Sequence, residues 1–318
     1  MLARCLALAL LVACAGSRGG PPAAAKQKRG IEGAALPYSI VDARTGRQVD
    51  TNVFWSAVAA ARVVCVGEDH PNPHHHWFQL EVMTQVASRK HDKLALGMEM
   101  FQRPYQGVLD DFAAKRIDER SLLSRSGWEE RWGYDYGFYG PTIAKAIAAG
   151  ATLLALNTPK ELTKKVVKKG VESLTPDEKK QMPELVLDDK AHRAWFDATM
   201  EDMGGAEAHG SGDKSGDKSD DKAKKDMPSP DRIYTAQVLW DETMADGAAR
   251  WSKATPTGTL VLLAGNGHCH DSAIVNRIKR RGVDKVISIR PVLDVEGNVA
   301  EALAKPVNDY LVVLAMPK

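Results

Sequence analysis

The chain has 318 residues, enough for one large domain or two smaller ones with a substantial core. It is 44% hydrophobic and 26% charged, the balance of an ordinary globular protein and not of a disordered or fibrous one. A formal net charge of +2, with no basic stripe interleaved with aromatics, argues against nucleic acid as a partner.

At the N-terminus, Arg4 precedes a short apolar run, residues 5–13. That run is too short to span a bilayer but suits the core of an export signal. It ends in Leu11-Val12-Ala13-Cys14, the pattern of a bacterial lipobox, whose cysteine becomes the lipidated first residue. The expectation is a lipoprotein signal peptide over residues 1–14, a flexible tether over 15–34 and an α/β domain over 35–318. Lipid on Cys14 would hold the protein to a membrane of the bacterial cell envelope, on the periplasmic side or at the outer membrane. A plain secretory signal cleaved nearby is the alternative.

Residues 37–41 predict a first strand, followed by a turn at Thr45-Gly46 and a helix capped by Thr51 or Asn52 that runs through Val53, Trp55, Val58 and Ala59. The β-branched run 63–66 predicts a buried strand emptying into Gly67-Glu68-Asp69-His70 and the triplet His74-His75-His76. Trp77, Leu80, Val82, Met83 and Val86 have helical spacing over 77–89, and 94–98 is a further apolar strand ending at Glu99. Residues 104–149 read as helical, broken by the aromatic segment Trp128, Trp132, Tyr134, Tyr136, Phe138 and Tyr139, and 152–156 as a strand. The stretch 159–202 is charged and helix-prone, and its lysine run, with acids inside it, predicts a solvated helix face outside the main sheet. Residues 204–230, with a near-repeated Ser-Gly-Asp-Lys, have almost nothing to bury and predict a disordered insertion that contains His209. A helix over 233–252, a strand over 260–264, a basic helix over 274–280 and strands over 286–290 and 310–315 complete the chain. Alternating strands and helices predict an α/β fold: a mainly parallel sheet flanked by helices, with a smaller helical subdomain over about 104–202.

Ligands of open α/β sheets bind at the carboxyl ends of the strands. Three predicted strands deliver polar groups there: Glu68 and His70, then Glu99, then His268 after Gly265-Asn266-Gly267. Each has a structural alternative, since Glu68 or Glu99 can cap a helix, the triplet His74, His75 and His76 can be a helix N-terminal turn with one ring packed, and His268 can pack against backbone. Together they form a carboxylate and imidazole set of the kind that binds zinc or manganese. The aromatic segment reads as core or as a wall of a flat cofactor pocket, in which a tyrosine can ligate haem iron. Cys65 and Cys269 flank this region, and buried free thiols are the expected state, with a disulfide conceivable. There is no His-Glu-x-x-His, haem-attaching Cys-x-x-Cys-His, P-loop or Gly-x-Ser-x-Gly elbow.

In order along the chain, Val64-Cys65-Val66-Gly67-Glu68-Asp69-His70-Pro71-Asn72-Pro73, Gly97-Met98-Glu99-Met100-Phe101 with Gln106, Phe138-Tyr139-Gly140-Pro141, Leu156-Asn157-Thr158-Pro159, Ala236 to Ala245 and Ala264-Gly265-Asn266-Gly267-His268 resemble the ChaN-like haem-binding lipoproteins of the Tiki superfamily. The resemblance implies a membrane-tethered protein that associates with haem during iron uptake and pairs as a homodimer, with Tyr139, His192 or His75 near the cofactor. It also implies an alternative, a metal-dependent hydrolase using Glu68, His70, Glu99 and His268. The insertion at 204–230 departs from a compact family domain.

Overall fold

The computed structural model of the chain describes residues 30–89, 93–208 and 229–317. The signal peptide, Cys14, most of the tether and the insertion from 209 to 228 lie outside the described residues. Eight strands form one sheet: β1 (Tyr38–Asp42), β2 (Gln48–Val49), β3 (Val63–Val66), β4 (Leu94–Gln102), β5 (Thr152–Asn157), β6 (Thr259–Leu263), β7 (Val286–Leu293) and β8 (Tyr310–Leu314). Their order is β2-β1-β8-β7-β3-β6-β4-β5. The pairs from β8 to β5 are parallel, and only β1 runs antiparallel to its two neighbours.

The helices are α1 (Thr51–Ala60), α2 (Pro73–Ser88), α3 (Gln106–Ala113), α4 (Glu119–Ser126), α5 (Trp128–Arg131), α6 (Gly140–Ala148), α7 (Lys160–Lys169), α8 (Pro176–Lys179), α9 (Lys190–Ala208), α10 (Pro230–Ala254), α11 (Asn276–Arg280) and α12 (Asn298–Ala304). They cover both faces of the sheet. Val64 and Val66 of β3, Leu96 and Met98 of β4, and Val261 and Leu263 of β6 pack beneath Phe54, Phe78, Val82 and Ile143. The alternate residues Val63, Cys65, Ala95, Leu260 and Leu262 pack beneath Ala245, Ala248, Ile274 and Ile278. Burial on both faces is what the unbroken apolar runs of β3 and β6 require. The winding reverses at β3, which has β6 on one side and β7 on the other, so the crevice opens beyond its carboxyl end.

Several expectations need correction. Asp50, not Thr51 or Asn52, caps α1, accepting from the Asn52 and Val53 N–H groups. The histidine triplet forms the first turn of a helix, its structural alternative: Asn72 accepts from the His74 and His75 N–H groups and Pro73 supplies the first helical position, so α2 starts four residues before Trp77. Glu99 lies within β4, at a register shift between Met98 and Gln102. Helices α9 and α10 extend to Ala208 and from Pro230, taking in both margins of the expected insertion. Ile31 and Ala34, placed in the tether, are buried in the main core at 9% and 4% exposure, because an isoleucine beside an apolar face gains more by packing than by hydration. Cys65 and Cys269 are joined as a disulfide, not free thiols. The parallel pairing of β3 with β6 carries the turn after β6 back over Cys65, leaving the two Cα atoms 5.7 Å apart, within bridging range.

Candidate functional site

Beyond Val66 the chain passes through Gly67, whose N–H donates to the Ile289 carbonyl at 2.8 Å. A Cβ there would stand 2.1 Å from Asn266 Oδ1, so a glycine is what lets the loop after β6 close over β3. Glu68 then turns inward and is buried. Its Oε1 accepts from His70 Nδ1 at 2.7 Å and from the Tyr139 hydroxyl at 2.8 Å, and its Oε2 accepts from Gln79 Nε2 at 2.7 Å. His76 Nδ1 is 3.4 Å from Oε2, with the ring held flat on Phe138 and its Nε2 donating to the His70 carbonyl at 2.8 Å. Burial would raise the Glu68 pKa, but the neighbouring His76 and His70 and these hydrogen bonds outweigh it and bring it down to about 2. Glu68 is thus a buried, hydrogen-bonded anchor that holds His70.

With Nδ1 fixed, His70 turns its other edge toward Gly265. A Cβ on Gly265 would lie 3.0 Å from His70 Cε1 and 3.2 Å from Nε2. The ring sits between Trp132 and Tyr134, at 4.8 and 4.9 Å between centroids. Burial lowers the His70 pKa, yet the bond to Glu68 and the charges of Glu68 and Glu99 overcome it, so the imidazole is more basic than usual.

Glu99 closes the other side. Its Oε2 accepts from the Gly265 N–H at 2.7 Å, and its Oε1 is 3.4 Å from His268 Nε2. His268 Nδ1 donates at 2.7 Å to Asp241 Oδ1 from the middle of α10. Burial depresses the His268 pKa, but the Glu99 charge and the Asp241 bond raise it to about 9. Asp241 is held well below the usual carboxylate range: burial opposes this, and the His192 and His268 contacts prevail. Its Oδ2 is 3.1 Å from His192 Nε2, but the two atoms are not aligned for a hydrogen bond.

Glu68, His70, Glu99 and His268 therefore converge, from three strand ends, around Gly265. Asp241 was missed by the sequence reading. Its signal was an Asp-Glu pair set among Leu239, Met244 and Ala245 on the apolar side of a helix. Among the described residues, no group of three or more His, Cys, Asp and Glu side chains is spaced to hold a metal ion.

The residues expected near a cofactor lie apart. Tyr139 is fully buried beside Glu68, and burial with that anion pushes its phenol well above 10. His75 is buried in α2, where its Nδ1 accepts from the Asp69 N–H at 3.0 Å and burial lowers its pKa to about 4. Its Nε2 has no hydrogen-bond partner among the described residues. His192 is buried on α9 between the Tyr234 hydroxyl at 3.3 Å and Arg277 Nη2 at 3.2 Å. None of the three presents a donor to an open, flat space, so they do not fit a haem ligand as they stand.

A family profile described as haem-binding uptake, Tiki superfamily, ChaN matches residues 54–278. A solved structure of cofacial heme binding to ChaN of Campylobacter jejuni is 14% identical and superposes with a TM-score of 0.62, covering 87% of this chain and 96% of that one. An erythromycin esterase mutant, EreC, in its open conformation is 13% identical with a TM-score of 0.44, covering 88% and 83%. The type III effector HopBA1 is 12% identical with a TM-score of 0.42, covering 82% and 90%. No curated protein matches the chain.

Proposed function

We propose that this chain, which belongs to the haem-binding uptake family of the Tiki superfamily (ChaN), binds haem at the cell envelope and hands it on during iron uptake. The observation that carries the reading is the family match over residues 54–278. The shared fold of the Campylobacter jejuni ChaN supports it. Bound haem would supply an iron centre whose behaviour its axial ligand and surroundings tune. Titrating the protein without its first 29 residues with hemin should give a saturable shift of the Soret band. A response no different from an albumin-like smear would sink the reading.

Lipid anchoring rests on Leu11-Val12-Ala13-Cys14. The Cys65–Cys269 disulfide supports export, since such bonds persist in oxidising compartments. Full-length protein should partition with membranes and Cys14→Ser protein should not. A homodimer is proposed with the haem reading, to be read from sedimentation with and without hemin.

The crevice favours a second reading, hydrolysis. Glu99 and His268, with Asp241 behind, form an acid–base pair able to move a proton at His268 Nε2. A zinc or manganese ion there would lower the pKa of a bound water. The present side-chain spacing does not fit such an ion, so no step is derived through one. Stoichiometric metal in purified protein, lost in a His70→Ala His268→Ala variant, would restore that version.

A further inference from the structure

We propose that His192, its tautomer fixed by Arg277, is a positioning residue of the crevice that acts through Asp241 to hold His268 against Glu99. The inference rests on the hydrolytic reading for its use, while its geometry stands apart from that reading.

Asp189 accepts from the Ala191 and His192 N–H groups, which starts α9 and sets His192 in its first turn. The ring there is fully buried, stacked on Trp195 at 5.7 Å between centroids and tilted against Tyr234 at 5.4 Å. Arg277 of α11 is buried as well, and its Nη1 donates to the Ser272 and Ala273 carbonyls at 2.5 and 3.0 Å. Its Nη2 lies 3.2 Å from His192 Nδ1. A guanidinium has only donors, so Nδ1 must accept and carries no proton. The neutral ring then holds its proton on Nε2. A doubly protonated ring would set one N–H against another, between two buried cations.

That Nε2 faces Asp241 Oδ2 at 3.1 Å. The contact is off the hydrogen-bond line, and Oδ2 has no hydrogen bond among the described residues. His192 therefore supplies the positive end of an N–H dipole to the oxygen that His268 leaves free. The other oxygen, Oδ1, accepts from His268 Nδ1 at 2.7 Å. With an imidazole N–H at each oxygen, turning the carboxylate costs both contacts. The His268 ring is thereby kept with Nε2 toward Glu99 Oε1, 3.4 Å away. Arg277, His192 and Asp241, from three helices, thus form one line that ends at the nitrogen able to move a proton.

The test uses protein labelled with 15N-histidine, read at neutral pH by ring nitrogen and proton resonances. Wild-type His192 should be protonated on Nε2 and bare on Nδ1, and the His268 Nδ1 proton should stand far downfield. His192→Phe keeps the bulk of the ring but removes both nitrogens, so that downfield proton should shift or be lost to exchange. Turnover of p-nitrophenyl acetate should then fall about tenfold or more in kcat with KM within about twofold, as for a misplaced catalytic group. His192→Gln, whose amide nitrogen can take the place of Nε2, should recover most of both. A wild-type His192 protonated on Nδ1 would overturn the proposal even if the Phe variant fails to fold. Folded His192→Phe protein with unchanged His268 resonances would overturn it too. Wild-type protein that leaves p-nitrophenyl acetate intact would sink hydrolysis alone, because the ring resonances decide the positioning role without turnover.

Discussion

His268 shows how two buried carboxylates, Glu99 and Asp241, set the charge of a side chain. Its pKa of about 9 stands above the ordinary 6.5, so the folded state holds the proton more tightly than the unfolded chain. The stability this gives is fully present below pH 6.5 and is lost as pH rises from there through about 9. Asp241→Asn removes the partner's charge and leaves a buried imidazolium with Glu99 as its neighbouring anion. We expect a loss of about 3–5 kcal/mol at neutral pH, as for breaking other buried pairs. Urea unfolding between pH 6 and 10 checks both parts: the slope of stability against pH should be present in wild type and flattened in Asp241→Asn. Gly265 supplies a second, separable test. Its Ala variant puts a methyl 3.0 Å from His70 Cε1, tighter than packing allows without movement. The cost should be about 1–3 kcal/mol. A shifted His70 ring resonance would accompany it, while unchanged stability and shifts would show the space to be larger than described.

At the scale of elements, the long apolar strands were legible, while the two-residue β2 and the pairing of the strands were not. Runs such as Val63–Val66 and Thr259–Leu263 announce burial by composition alone, and the polar residues after them announce a crevice edge. Asp241 could not be reached that way, because its helix is read by its apolar stripe and an acid within it looks like noise. The start of α2 is ambiguous for a similar reason: three consecutive histidines read as loop or as a helix's first turn, and the capping Asn72 followed by Pro73 is the signal that decides for the helix. The disulfide between β3 and the turn after β6 depends on strand order, which no local pattern contains. That cross-link ties the loop carrying His268 to the strand carrying Glu68, across 204 residues of sequence. Replacing both cysteines by alanine should cost about 2–5 kcal/mol, seen as a lower urea midpoint with a steeper slope, because the denatured chain loses a long cross-link and exposes more surface. If the His268 resonance also moves, the bond sets the site geometry; if it stays, the hydrogen bonds of Glu99 and Asp241 suffice alone.

For the molecule as a whole, the boundary of the domain is an energetic question that composition cannot answer. An Ala/Gly/Pro-rich stretch before Leu36 looks like linker from its residues taken singly. The fold disagrees at two of them, since Ile31 and Ala34 are packed in the main core and the Ala34 carbonyl accepts from His74 Nδ1 at 2.7 Å. This contact reaches the first turn of α2, the same helix whose His76 and Gln79 brace Glu68. The short N-terminal segment therefore supports the crevice from behind. A chain beginning at Leu36 should be less stable than one beginning at Gly30 by roughly 2–4 kcal/mol, the worth of one buried isoleucine, a small residue and a hydrogen bond. Comparative thermal melts of the two chains measure it. Equal melting temperatures would mean that these residues pack without stabilising, and would return the tether to the limit read from composition. A lower one, with amide exchange quickened at the start of α2, would extend the structural domain to Gly30.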